Sequence, residues 1–195
     1  MVDTAPIYGE GHSEEVVGQA LKGIRDKVYL TTKFGSYINH FTGTSVRDCK
    51  YNTVEREIDE SLKRLQTDYI DFYVMHWPDV NTPIEETMAA VNMLKEKGKI
   101  RFIGMSNSPK ELIMEAQKYA KIDVIQPPFS MVNQTERELM EWAETQGIGT
   151  MTYGSLGAGI LTGAIRECPE YDPKDMRLVF YPFFKERHFQ RSWNC

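Results

Sequence analysis

Short runs of apolar, β-branched or aromatic residues alternate with helical patterns along this chain, and that alternation leaves few folds open. The runs cover 28–32 (VYLTT), 69–75 (YIDFYVM), 100–105 (IRFIGM), 122–126 (IDVIQ) and 148–153 (IGTMTY). Helical patterns are expected near 13–22, 53–65, 83–97, 109–120 and 135–146. Parallel strands need a crossover, so strand and helix taken in turn build βαβ units around a parallel sheet. Several helix starts can be read from the residues. Thr82 and Ser108 each precede a proline and are followed three residues on by Glu85 and Glu111, the pattern of a capping box with proline at the first helical position. Asn52 with Glu55 marks a third start and Ser13 a fourth, while Gly98 and Gly147 stand where a left-handed residue closes a helix.

Two parallel architectures fit. A full eight-unit barrel takes ~250 residues, and the 195 residues here supply a strand stub, five further strands and five helices. The expected fold is therefore an α/β (β/α)8 TIM-type barrel that is incomplete, with an open five-stranded flavodoxin-like sheet as the alternative. Neither a low-complexity linker nor a short repeat divides the chain, so 1–195 is expected to be a single partial barrel domain.

Composition excludes several function classes. A net charge of -5 gives no basic footprint for nucleic acid, and the cluster Lys185, Arg187, His188 and Arg191 reads as a solvated face. Cys49, Cys168 and Cys195 are odd in number, widely spaced and without a CxxC pair, which suggests neither a disulfide framework nor structural zinc. The start MVDTAPIYG has no basic region or apolar core, and no run approaches the ~20 apolar residues of a membrane span. A cytoplasmic location without membrane or nucleic-acid partners is expected. No HExxH or GxSxG occurs and the histidines lack metal-ligand spacing, so no metal is expected.

Polar residues with chemical potential stand where apolar runs stop. Val2 leads into Asp3, VYLTT ends at Lys33 and YIDFYVM ends at His76, and Tyr8 follows Asp3 closely; all four are expected at strand ends. Barrel enzymes draw catalytic groups from the C-terminal ends of several strands, so this placement reads as chemistry. The glycine-rich GSLGAGILTG at 154–163 is not a GxGxxG fingerprint, and a Rossmann reading is rejected.

VDTAPIYGEGHSEEVVGQAL, TTKFG, DFYVMHWPD, IRFIGMSNS, VIQPPFSMVNQ and TYGSLGAGILTG occur in order from Val2 to about Gly163, and together they resemble the aldo-keto reductases. The resemblance implies strands 2 to 7 of the family barrel; against the family pattern, the first strand, the eighth strand and the helix with basic residues for an adenosine 2′-phosphate are expected to be missing. Open edges at both ends of the sheet would follow.

The resemblance also implies NAD(P)H-dependent reduction of aldehydes or ketones. Tyr8 would be the general acid, Lys33 would lower its pKa, Asp3 would hold Lys33 charged, and His76 would donate a hydrogen bond to the substrate oxygen. Ser106, Asn107 and Gln126 would bond the nicotinamide carboxamide, with Tyr153 stacked on the ring and Leu156 and Gly157 meeting the diphosphate. Trp77 would line the substrate pocket, joined in a weaker reading by Phe34 or Tyr37. The implied cofactor is NADP(H), with NAD(H) second, and the partner is a small carbonyl compound. The competing expectation is a non-catalytic, shortened chain of the same descent that senses cofactor or serves as an interaction subunit.

Overall fold

A computed structural model describes residues 1–165 together with 167, 170 and 172. Its elements, in chain order, are β1 (Val2–Asp3), α1 (His12–Ala20), β2 (Leu30–Phe34), β3 (Ser36–Asn39), β4 (Thr44–Arg47), α2 (Tyr51–Leu65), β5 (Ile70–Met75), α3 (Ile84–Glu96), β6 (Ile100–Ser106), α4 (Lys110–Ala116), β7 (Val124–Gln126), α5 (Arg137–Thr145) and β8 (Gly149–Thr150). Cys168, Cys195 and the cluster from Lys185 to Arg191 lie outside the described residues.

Six strands form one parallel sheet in the order β1-β2-β5-β6-β7-β8, and β3 and β4 form a separate antiparallel hairpin. A flavodoxin-like sheet reverses its strand order at a switch point. Here the order never reverses, and the sheet curls with its helices in the manner of a (β/α)8 half-barrel, which removes the open-sheet alternative.

Register assigns the two faces. Thr31 pairs with Phe72, Phe72 with Phe102, Lys33 with Val74, Val74 with Gly104, Gly104 with Val124 and Ser106 with Gln126, so these residues share the concave face. The opposite face presents Leu30, Phe34, Tyr73, Met75, Ile103, Met105 and Ile125 to the helices, and these join Ile58, Leu65, Met88, Val91, Leu94 and Ile113 in the main core. Gly104 is required where it stands: a Cβ there would lie 2.8 Å from methyl carbons of both Val74 and Val124.

Helix ends followed the sequence more faithfully than helix starts. Gly98 has φ +74, with Gly98 N–H donating to Lys95 O at 3.0 Å and Lys99 N–H to Leu94 O at 3.0 Å. Gly147 repeats this Schellman arrangement after α5. The expected capping boxes do not form. Pro83 and Pro109 occupy the cap positions of α3 and α4 without side-chain caps; Thr82 Oγ1 donates instead to Asp79 Oδ2 and Ser108 Oγ to Ser106 O. Asn52 and Ser13 lie inside α2 and α1, where Ser13 Oγ bonds Thr4 Oγ1, and the Tyr51 N–H opening α2 is met by Glu86 Oε1 from α3. The α4 helix stops at Ala116 because Lys118 and Tyr119 donate to carbonyls three residues back, tightening the chain into a turn.

At the N-terminal end of the sheet, Asp71 is buried and accepts from Leu30 N–H at 2.9 Å, Arg25 at 2.9 Å and Arg101 at 2.8 Å. Both guanidiniums also lie over the Tyr69 ring, at 4.0 and 4.1 Å. This end is bound for stability and leaves the other end to chemistry.

Candidate active site

The C-terminal ends of the parallel strands bring Asp3, Lys33 and His76 together. Asp3 ends β1, Lys33 is the fourth residue of β2 and His76 follows β5 directly. Tyr8 differs from expectation: it sits in the turn-rich loop between β1 and α1, five residues past Asp3, so the loop rather than a strand end carries it. That loop is anchored where it leaves the sheet, since Thr4 N–H donates to Thr31 O at 3.0 Å and Tyr8 N–H to Ala5 O at 3.1 Å.

Lys33 is 2 % exposed and donates from Nζ to Asp3 Oδ2 at 2.8 Å and to Thr4 O at 2.8 Å. Its ammonium lies 4.9 Å from the centroid of the Tyr8 ring, and the Tyr8 and His76 rings meet edge to face at 5.8 Å. His76 is fixed by its backbone, with its N–H donating to Phe34 O at 3.0 Å and its carbonyl accepting from Asn107 Nδ2 at 2.9 Å. Thus β2, β5 and β6 lock one another at the level of the site.

Ionisation departs from expectation in one respect. Burial, and after it the Asp3 charge, push the Tyr8 hydroxyl up to about 12, whereas an activating lysine was expected to bring it down. Desolvation of the phenol is the larger cause, and the Asp3 carboxylate, 2.8 Å from the Lys33 ammonium, adds to it. Burial lowers the Lys33 pKa, with Asp3 acting in the opposite direction. Desolvation, followed by the Lys33 charge, drops His76 to about 3. The imidazole is neutral at physiological pH and Tyr8 is fully protonated, so each holds one transferable or shareable hydrogen.

The amide-bearing residues form a second connected group. Ser106 Oγ donates to Gln126 O at 2.7 Å, Asn107 Nδ2 to Ser106 Oγ at 3.1 Å, and Tyr153 Oη to Asn107 Oδ1 at 2.8 Å. Gln126 Nε2 reaches across to Asp3 Oδ1 at 3.1 Å, joining this group to Lys33. Asn107 holds a left-handed backbone with φ 52, a conformation rare outside glycine that turns its side chain back into this network. Trp77, Asn107 and Gln126 line one cleft of ≈ 390 Å³ together with Pro109, Pro127 and Leu139.

Other expectations divide. Phe34 is core, 1 % exposed and 4.7 Å from the Tyr73 ring, and Tyr37 lines a separate hollow beside the hairpin. Leu156 is exposed at 63 %, whereas Gly157 is buried with φ +57 and gives its N–H to Gly154 O at 2.8 Å. Gly157 therefore shapes the loop, and its amide is not available to an anion. A Cβ at that position would lie 2.8 Å from Ile160 and 3.0 Å from Val132.

Three contributors escaped the sequence reading: the Thr4 carbonyl that holds Lys33, Glu57 on α2, and the hairpin that packs on Trp77. Glu57 Oε2 accepts the Gly35 N–H at 2.7 Å, just beyond Lys33. The hairpin had a usable signal in SYIN and TSVR flanking Thr-Gly, with Gly43 at φ +67. No group of three or more metal-ligating side chains occurs among the described residues, and no helix among them is long and apolar enough to cross a membrane.

Comparison with known proteins gives the same picture. The chain is 41% identical over 190 residues to aldo-keto reductase YhdN of Bacillus subtilis (strain 168), covering 96% of the chain and 57% of that protein. It is 39% identical over 178 residues to the NADH-specific methylglyoxal reductase of Escherichia coli (strain K12), covering 85% and 55%. A glycerol dehydrogenase from Gluconobacter oxydans superposes with a TM-score of 0.87 at 34% identity, covering 97% of this chain and 59% of that one. The chain thus spans little more than half the length of the relatives it matches. The model of the Aldo/keto reductase family matches residues 1–187, and with the sheet order and the ordered motifs this shows that the chain belongs to the aldo-keto reductase family.

Proposed function

We propose that the protein reduces aldehydes or ketones to alcohols with NADP(H), or with NAD(H), using Tyr8 as general acid. The observation that carries this reading is the buried Lys33, paired to Asp3 at 2.8 Å and placed 4.9 Å from the ring of Tyr8 with His76 at its edge. Burying the Lys33 ammonium costs desolvation free energy that the partly exposed Asp3 offsets, so placing it beside a protonated phenol is an arrangement for chemistry more than for stability.

The nicotinamide cofactor, when bound, supplies the hydride. The protein's own residues supply the remainder. Ser106, Asn107 and Gln126 offer the mixture of hydroxyl and amide groups that a carboxamide needs, and Gln126 is tied to Asp3 at 3.1 Å. Tyr153 is held by its hydroxyl on Asn107, and its ring is read as the plane on which the nicotinamide stacks. Leu156, exposed in the 154–163 loop, is read as meeting the diphosphate.

Neutral His76 donates to the carbonyl oxygen and orients it. Tyr8 then passes its proton to that oxygen as charge develops there. A phenol held at about 12 is a reluctant donor to water and a matched donor to an alkoxide, which is the more basic partner. The Lys33 cation lies beside the ring, where it stabilises the phenolate left behind. In the alcohol-to-carbonyl direction the same phenolate is the base.

The protein is read as one domain in the cytoplasm with a small carbonyl compound as its partner. Buried Cys49, whose thiol is pushed up to about 12 by burial and then by the charges of Asp79, Glu57 and Asp48, takes no part as a nucleophile. The test is consumption of NADPH and NADH in the presence of small aldehydes, with the thermal midpoint recorded with and without each cofactor. Turnover with an upward shift is expected. A shift without turnover would favour a cofactor-binding chain that is not a catalyst.

A further inference from the structure

The reduction chemistry leaves the β3–β4 hairpin without a task, and its last residue stands in a telling position. Arg47 is exposed, and its guanidinium carbon lies 4.7 Å from the centroid of the Trp77 ring. Two residues on, Cys49 Sγ contacts Trp77 O at 3.7 Å and Cys49 N–H donates to Asp79 Oδ2 at 3.2 Å. The segment 47–49 therefore grips Trp77 by its ring and by its backbone. Trp77 in turn walls the cleft that Asn107 and Gln126 share, and it follows His76 directly in the chain.

The charge of Arg47 is not spent on the protein. Among the described residues, Arg25, Arg56, Arg64 and Arg101 pair with carboxylates; Arg47 and Arg137 do not, and Arg137 donates to Gln134 Oε1 instead. Asp48, next in the chain, and Asp79, which takes the Cys49 N–H, are committed elsewhere. Asp48 accepts from Lys50 N–H at 3.1 Å and Thr53 Oγ1 at 3.0 Å, and Asp79 from Asn81 N–H at 2.9 Å and Thr82 Oγ1 at 2.6 Å. A guanidinium held over an aromatic ring still has N–H groups to offer a planar anion, and arginine binds carboxylate or phosphate bidentately through such a fork.

We propose that Arg47 is a specificity-determining residue: its face fixes the Trp77 wall, and its edge binds a carboxylate or phosphate carried by the carbonyl substrate. The inference rests on reading the Tyr8, Lys33 and His76 cluster, which Trp77 adjoins through His76, as a carbonyl-reductase site, and it narrows the substrate class to anionic aldehydes and ketones. Neutral carbonyls engage Tyr8 and His76 alone and lack this anchor.

The test compares 4-carboxybenzaldehyde and 4-formylphenyl phosphate with neutral 4-methylbenzaldehyde on the wild type, Arg47→Met and Arg47→Lys. The Met side chain keeps length and ring contact but no charge. In Arg47→Met the charged-to-neutral ratio of kcat/KM is expected to fall about fivefold, the scale of a partly exposed charged hydrogen bond, and to do so through KM. Arg47→Lys is expected to restore part of the ratio, and added salt to reduce it in the wild type. A larger loss on one charged aldehyde identifies carboxylate or phosphate as the preferred anion.

Equal losses on all three substrates would mean that Arg47 merely props Trp77, and would overturn the inference; so would no loss at all. Should the wild type reduce none of them, the reductase reading fails separately, and calorimetric binding of 4-(hydroxymethyl)benzoate and 4-methylbenzyl alcohol decides. Preference for the carboxylated alcohol in the wild type and its absence in Arg47→Met would sustain the anion site, while equal affinities would dismiss it.

Discussion

Glu57 extends from α2 to take the Gly35 N–H, and burial pushes its carboxyl up to about 7 from 4.5. A carboxyl raised in the folded state contributes stability that is fully present below the unfolded value and lost as pH rises through the folded one. The window is therefore pH 4.5 to about 7, with a flat penalty above it. Glu57→Gln keeps an acceptor for Gly35 and cannot ionise. Its melting temperature is expected to match the wild type near pH 4 and to exceed it by about 5 °C at pH 8; a lower value at pH 8 would show that the carboxylate charge is needed. His76, held down at about 3 mainly by burial, makes a separate kinetic prediction. The pH profile of kcat/KM is expected to lack an inflection near the ordinary histidine value of 6.5, and an inflection there would mean that the imidazole titrates during turnover.

At the level of elements, two glycines separate conformational from steric cost. Gly98 closes α3 in the left-handed region with nothing within 4 Å of a Cβ, so Gly98→Ala loses about 1 kcal/mol from backbone strain alone. Gly104 lies on the concave face of β6 between Val74 and Val124, and Gly104→Ala is expected to cost about 1–3 kcal/mol more through overpacking. Denaturant midpoints for the two variants check the order, and a reversed order would contradict the packing of that face. The same elements show what the residues could disclose. Strand and helix alternation and the Gly98 and Gly147 ends were legible because they depend on local pattern and local φ. The Thr82 and Ser108 starts were misread because Asp79 and the Ser106 carbonyl, three and two residues back, claim their hydroxyls, and the Asn52 start because Glu86 of α3, distant in sequence, meets the first N–H of α2 in place of a local side chain. The gathering of Asp3, Lys33 and His76 followed from strand ends, whereas the Tyr8 loop position and the raised Tyr8 pKa depend on burial that no spacing rule reports.

For the molecule as a whole, the two ends of the curled sheet divide the work. Asp71 with Arg25, Arg101 and Tyr69 ties β2, β5 and β6 at the N-terminal end, and breaking one partner of a buried pair costs about 3–5 kcal/mol. Asp71→Asn is expected to lower the unfolding midpoint strongly while KM for the aldehyde stays within about twofold; a large KM change would place that end in communication with the site. The opposite end carries the proposed site, linked across the sheet from Asp3 to Gln126 and from His76 to Asn107. The most direct test of that division is the turnover of Tyr8→Phe, which removes the phenolic hydroxyl and almost no volume. A fall in kcat of about 100-fold or more, with the cofactor-induced rise in thermal midpoint unchanged, is the expected result. Turnover close to that of the wild type would contradict the account, because the proton would then come from a group other than Tyr8.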